Sequence, residues 1–116
     1  MICPTHNLDL IAKPTRFGTR WSCPAFGCTV ASWDGSTSTP ADAETRQLRK
    51  LCHELFDPLW RAPKKRRKFH DRRRAYHWLQ VFMGLPASRA HIGCFDKLQC
   101  LRLIGELDPE KGKVKA

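Results

Sequence analysis

Cys3, His6, Cys23 and Cys28 have the types and spacing of a zinc site. Zinc is held tetrahedrally by four nitrogen or sulfur atoms at about 2.0 to 2.3 Å. Cys3-x2-His6 and Cys23-x4-Cys28 form two short-spaced pairs that two turns can present with little loop strain. Pro4 tightens the first turn, and Pro24 and Gly27 shape the wider second one. Four protein ligands leave no open coordination position, so the expectation is one structural Zn2+ and no metal-centred catalysis. The competing reading is a set of unbound thiols in a disordered arm. The metal is favoured because residues 1–37 have little else to fold around.

A second kind of chemistry is written in charge. The chain of 116 residues carries a net +10. Between Arg61 and Arg74 lie nine basic residues (Arg61, Lys64, Lys65, Arg66, Arg67, Lys68, Arg72, Arg73 and Arg74) and one acid, Asp71, so this window holds +8 of that total. Basicity is a local feature and requires a local explanation. Like charges this dense repel by roughly 1 kcal/mol per close pair in water, a cost that a polyanion removes. A solvated linker would carry mixed charge with Gly or Ser, and a nuclear-import signal is the third alternative. Phosphate contact by Lys64, Lys65, Arg66, Arg67, Lys68, Arg72, Arg73 and Arg74 is the reading carried forward. Trp21 and Phe26 are the candidate base-stacking rings. Phe17, Trp21, Phe26 and Trp33 are too many aromatics for so small a ribbon to bury completely, so one or two should be exposed.

His53, Asp57, His91 and Cys100, with Cys52 and Cys94, could form a second metal site or a hydrolytic centre. The better-supported alternative places Cys52 and Cys100 on apolar helix stripes as small hydrophobes. No nucleophile elbow, phosphate loop or HExxH is present. Catalysis is left undecided, with a binding protein favoured over an enzyme and no catalytic residue assigned.

The elements that must position these groups divide the chain in two. Residues 1–37 contain short β-type runs, Leu8 to Ile11 and Thr19 to Ser22, with no helical period, and predict a small zinc ribbon of antiparallel strands. Thr39-Pro40-Ala41-Asp42 predicts a helix start, followed by the apolar stripe Leu48, Leu51, Cys52, Leu55 and Phe56, with a stop or bend at Asp57-Pro58. A second helix should begin near Asp71, carry Ala75, Trp78, Leu79, Phe82 and Met83 inward and end at Gly84. A third, roughly Phe95 to Leu107, would turn Leu98, Leu101 and Ile104 inward, with Cys100 a further candidate for that side. The expected core is Leu48, Leu51, Leu55, Trp78, Leu79, Phe82, Leu101 and Ile104. The fold class is thus α+β, a zinc ribbon (1–37) followed by a three-helix unit (38–108) with a basic loop at 61–74 and a flexible tail at 109–116.

The length fits a small domain with a modest core that needs a staple. No apolar run approaches the roughly 20 residues of a membrane-spanning helix, and the start lacks a basic segment followed by an apolar one. Reduced thiols and a cytoplasmic location are the expectation.

The second knuckle, Trp21-Ser22-Cys23-Pro24-Ala25-Phe26-Gly27-Cys28, resembles the small zinc ribbons at the C-terminal end of type IA DNA topoisomerases, with His6 replacing the usual Cys of the first knuckle and the proline moved. Nearly the whole chain resembles a family of small phage and prophage proteins described only as zinc-finger-containing. The resemblance rests on Thr39-Pro40-Ala41-Asp42, Leu48-Arg49, His53, Phe56-Asp57, Trp60, Ala75-Tyr76, Trp78-Leu79, His91-Ile92-Gly93, Phe95-Asp96 and Cys100. It implies a phage or prophage origin and the host cytoplasm as the place of action, but no activity. The combined expectation is a zinc-ribbon protein that binds nucleic acid, DNA ahead of RNA. A phage protein that binds and modulates a host protein is the alternative, and a small nuclease ranks third.

Overall fold

The computed structural model describes residues 1–108. The tail expected at 109–116 lies outside the described residues. The chain divides into two compact units, the first ending at Arg46 and the second starting at Gln47.

The first unit is a three-stranded antiparallel sheet, β1 (Ile11–Thr15), β2 (Gly18–Ser22) and β3 (Ala31–Trp33), in the order β1-β2-β3. Ile11 faces Ser22 and Thr15 faces Gly18 across the first pair, and Trp21 faces Ser32 across the second. The hairpin loop is only Arg16 and Phe17, tied by the Thr15 hydroxyl, which donates to Gly18 O and accepts from Phe17 N. The first strand was expected at Leu8 to Ile11 and lies later, through Pro14. A proline is tolerated there because β1 is an edge strand and need not donate at every position.

The first helix, α1 (Ala43–Phe56), starts four residues beyond the expected cap at Thr39. Ala41 is drawn into a bridge with Ala31, each amide donating to the other's carbonyl at 3.0 and 3.3 Å. The residue that caps is therefore Asp42, whose carboxylate accepts from Thr45 N at 2.8 Å. Within the first unit the opening turn of α1 is also tied to the loop before β3: Ala43 N donates to the Thr29 hydroxyl, and the Arg46 guanidinium to the carbonyls of Thr29 and Ala41.

In the second unit α1 ends before Asp57, and Pro58 opens a single-turn helix, α2 (Pro58–Arg61), so the Asp57-Pro58 signal bends the chain. Helix α3 (Arg72–Met83) has the expected ends. The Asp71 carboxylate accepts from Arg74 N, and Gly84 closes it at φ 66°, a left-handed conformation that glycine adopts without penalty. Helix α4 (Lys97–Leu107) opens with a reciprocal capping box between Asp96 and Gln99.

The core of this unit is Cys52, Phe56, Ala75, Leu79, Met83, Ile92, Phe95, Cys100, Leu103 and Ile104, flanked by half-buried Leu48, Leu51, Leu55, Trp78 and Phe82. Two expected inward residues are not in it. Leu98 is 77% exposed, and Leu101 stands outside the cluster. Apolar residues at 98, 100, 101, 103, 104 and 107 offer α4 two overlapping stripes, and the 100/103/104 stripe is the one buried. Arg49, itself buried, donates from Nε to the Phe95 carbonyl at 2.8 Å and holds the turn before α4.

Candidate metal centre

Each knuckle is fixed by its own backbone. In the first, Cys3 N donates to Leu8 O, Asn7 N returns to Cys3 O, and Asn7 takes a left-handed φ of 55°. This folds Cys3 and His6 to the same side. In the second, Cys28 N donates to Ala25 O and Ala25 N points at the Cys23 sulfur from 3.5 Å. Gly27 has φ 77°, so the turn requires a residue that adopts that conformation freely. Cys23 N donates to Val30 O, anchoring the knuckle to the chain entering β3.

Both knuckles converge. The ligand atoms of Cys3, His6, Cys23 and Cys28 all lie within 4.8 Å of one another. Cys3 Sγ stands 3.8 Å from Cys28 Sγ, and His6 Nδ1 is 3.7 Å from both Cys3 Sγ and Cys23 Sγ. A tetrahedral ion with zinc–sulfur distances of about 2.3 Å separates its sulfurs by about 3.8 Å. The residues therefore fit one structural zinc ion, with Nδ1 the histidine nitrogen turned toward it. The electrostatics also suit a cation. Burial raises the Cys3 thiol, but hydrogen bonds from the His6 backbone and ring and the Thr5 backbone outweigh it and bring it down to about 6. The Cys23 thiol is pushed up, first by burial and further by the neighbouring cysteine sulfurs. A bound cation relieves that clustering of sulfur charge.

Around the four ligands the unit buries little else. Leu10 and Val30 join Cys3 and Cys23 in its apolar cluster, with Trp21, Ala25 and Cys28 packed against it. A core that small does not hold a 46-residue unit by hydrophobic burial alone, so the metal acts as its centre.

The other expected site residues lie as follows. Phe26 is fully exposed, as is most of Phe17. Trp21 is half-buried, and its indole N–H donates to Asp34 at 3.0 Å. Arg16 and Arg20 cover Phe17 and Trp33 at 4.7 and 4.6 Å, pairings that the sequence reading missed; the first joins neighbours in the loop and the second follows from the β2–β3 register. In the second unit Lys64, Lys65, Arg66, Lys68, Arg72, Arg73 and Arg74 are exposed, and Arg67 is half-buried. The loop that carries them is held by backbone hydrogen bonds. Pro63 O accepts from Arg66 N and Arg67 N, and Phe69 N donates back to Leu59 O at 2.8 Å. The Phe69 ring packs on Trp78, and the Lys68 ammonium lies over both.

Among the described residues, Cys3, His6, Cys23 and Cys28 are the only group of three or more potential ligands close enough to share an ion. His53 pairs with Asp57 at 3.5 Å one helical turn away. Cys52 and Cys100 are fully buried, and the Cys52 thiol donates to the Cys100 carbonyl at 3.5 Å. The Cys100 sulfur and burial push the Cys52 thiol up, so it stays protonated, as a core hydrophobe should.

No curated protein and no solved structure is detectably similar to the chain. No helix among the described residues is long and apolar enough to cross a membrane. A family model described as a zinc-finger-containing domain matches residues 5–109, nearly the whole chain, and the protein belongs to that zinc-finger-containing family.

Proposed function

We propose that this is a zinc-stapled nucleic-acid-binding protein of phage or prophage origin, acting in the host cytoplasm, whose segment 61–74 contacts phosphates. The observation that carries the reading is the basic loop, hydrogen-bonded and packed through Phe69. Among the described residues no acidic side chain pairs with Lys64, Lys65, Arg66, Arg67 or Lys68. The loop is nevertheless held by the Phe69–Leu59 hydrogen bond and by the packing of Phe69 on Trp78. Holding these cations together sets up mutual repulsion, which phosphate charges offset, and the counterions released from the nucleic acid add to the drive for binding. DNA ranks ahead of RNA on the resemblance of the second knuckle to topoisomerase ribbons.

The first unit contributes separately. Its exposed Phe26 and the Arg-covered Phe17 and Trp33 present π-faces of the kind that stack on unpaired bases. Binding of the purified protein to single-stranded DNA, duplex DNA and RNA probes at low salt tests the proposal. Salt-dependent binding to at least one of them supports it. Absence of binding to all three removes it and makes a host protein the leading partner.

A further inference from the structure

A groove of about 660 Å³ runs along α3 and faces the turn that follows it. Arg72, Arg73, Tyr76 and Gln80 line it from the helix, and Ser88 and His91 from the other side. The wall is ordered: Leu85 N donates to Gln80 O, and Arg89 N and Ala90 N both donate to Pro86 O. We propose that this groove binds a phosphomonoester, at the end of a nucleic-acid strand. The inference rests on the nucleic-acid reading above and adds to it a site that shares Arg72 and Arg73 with segment 61–74 but has its own ligand chemistry.

Arg72 is the organising residue. Its guanidinium carbon lies 4.5 Å from the Tyr76 ring centre and 5.9 Å from that of Trp60. Tyr76 is in turn fixed edge-on against the fully buried Phe56 at 5.2 Å. Cation–π contact engages the face of the guanidinium, while its N–H donors lie in the plane and point from the edge. The ring contacts therefore restrict the exposed Arg72 side chain while leaving its donors available, which favours bidentate phosphate recognition. His91, with its ring centre 6.1 Å from that of Tyr76, and Ser88 stand on the opposite wall, and both side chains have groups able to donate.

Shape and charge select a terminal group over an internal one. A phosphomonoester carries about −1.5 to −2 charge and three free oxygens, which a concave site can surround from two sides. An internal phosphodiester carries one charge and suits the exposed loop at 64–68. The volume falls within the roughly 300 to 1,000 Å³ of small-molecule sites, so a terminal nucleotide fits behind its phosphate against Ala87 and Ala90. Among the described residues no acid lines the groove. The neighbouring hollow of about 440 Å³, lined by Asp71, Arg73, Arg74 and His77, holds a carboxylate that opposes an anion.

The test uses the full chain and single-stranded 20-mers that carry a 5′-phosphate, a 3′-phosphate or hydroxyls only, read by fluorescence anisotropy. One phosphorylated end should bind about tenfold tighter than the hydroxyl strand, the worth of a good charge-assisted contact. Arg72→Lys, which keeps the charge but loses the planar fork, and Ser88→Asp, which places a carboxylate in the wall, should each bring that ratio toward one. Thymidine 5′-monophosphate should shift the amide resonances of Arg72, Arg73 and His91 where thymidine does not. Equal affinity for phosphorylated and hydroxyl strands, with no shifts from the nucleotide, overturns the groove assignment and leaves backbone binding intact. Shifts from the nucleotide with no strand bound keep the phosphomonoester site, make a free nucleotide its ligand and end the nucleic-acid reading.

Discussion

The sulfurs of Cys3 and Cys28, 25 positions apart in the chain, stand 3.8 Å from each other. Two thiols brought that close within a small core gain little from one another, and the separation is that of two ligands of one tetrahedral zinc. Apparent zinc-binding energies in isolated finger peptides are about 10 to 16 kcal/mol, comparable to the whole stability of an ordinary domain. The protein should hold one zinc per chain. Chelation should collapse the amide shift dispersion of residues 1–46 while Trp78 and Leu79 keep theirs, and Cys23→Ser should act alike. A metal-free preparation with an intact β1–β2 hairpin would contradict this.

In the second unit Leu79→Ala removes a fully buried side chain and should cost about 2 to 5 kcal/mol. Leu98→Ala, on the exposed side of α4, should stay within about 0.5 kcal/mol. Denaturant unfolding of the two variants checks the phase of that helix, and equal losses would place Leu98 inward after all.

The cap of α3 responds to pH. The hydrogen bond from Arg74 N, with nearby Arg74, His70 and Arg73 charges, holds the Asp71 carboxyl below its ordinary value. A depressed acid stabilises the folded state fully above its unfolded pKa of about 3.9 and loses that contribution as pH falls through the lower folded value. Asp71→Ala should therefore melt earlier than wild type at pH 7, with the gap closing toward pH 2, followed at the Trp78 indole. A gap that persists unchanged at pH 2 would mean that the carboxylate charge is not what caps the helix.

Phe26→Ala should weaken binding to single strands by about 1 to 3 kcal/mol without changing its salt dependence. Trp21→Ala, by contrast, should also lower the stability of the first unit, because the indole packs against the ligand cluster and bonds Asp34. Anisotropy titrations at two salt concentrations, with melting curves beside them, separate the two effects.

These contrasts show which features local chemistry made legible. The four ligands could be read because zinc dictates residue type and short spacing. The ends of α3 could be read because Asp71 and Gly84 act within one turn of themselves. The start of α1 could not, since Ala41 is claimed by Ala31 across the first unit, and a bridge of that kind leaves no mark near Thr39. The phase of α4 was hidden by two apolar stripes that only Cys52, Ile92 and Phe95, from elsewhere in the core, could decide between. The groove at Arg72 is a product of the chain reversing at Gly84, which returns Ser88 and His91 to α3.

The salt dependence of binding measures phosphate contact by the basic loop. Arg72, Arg73 and Arg74 fan over about 200° of α3, so they cannot all face one strand, and roughly four to six phosphates should be engaged. For duplex DNA that gives a slope of log K against log salt of about −4 to −5. The combined Lys64→Ala, Lys65→Ala, Arg66→Ala and Arg67→Ala variant should flatten the slope by about three and weaken binding equally on unrelated sequences. A slope that the variant leaves unchanged, or a wild-type protein whose binding ignores salt, would contradict phosphate contact by the basic loop.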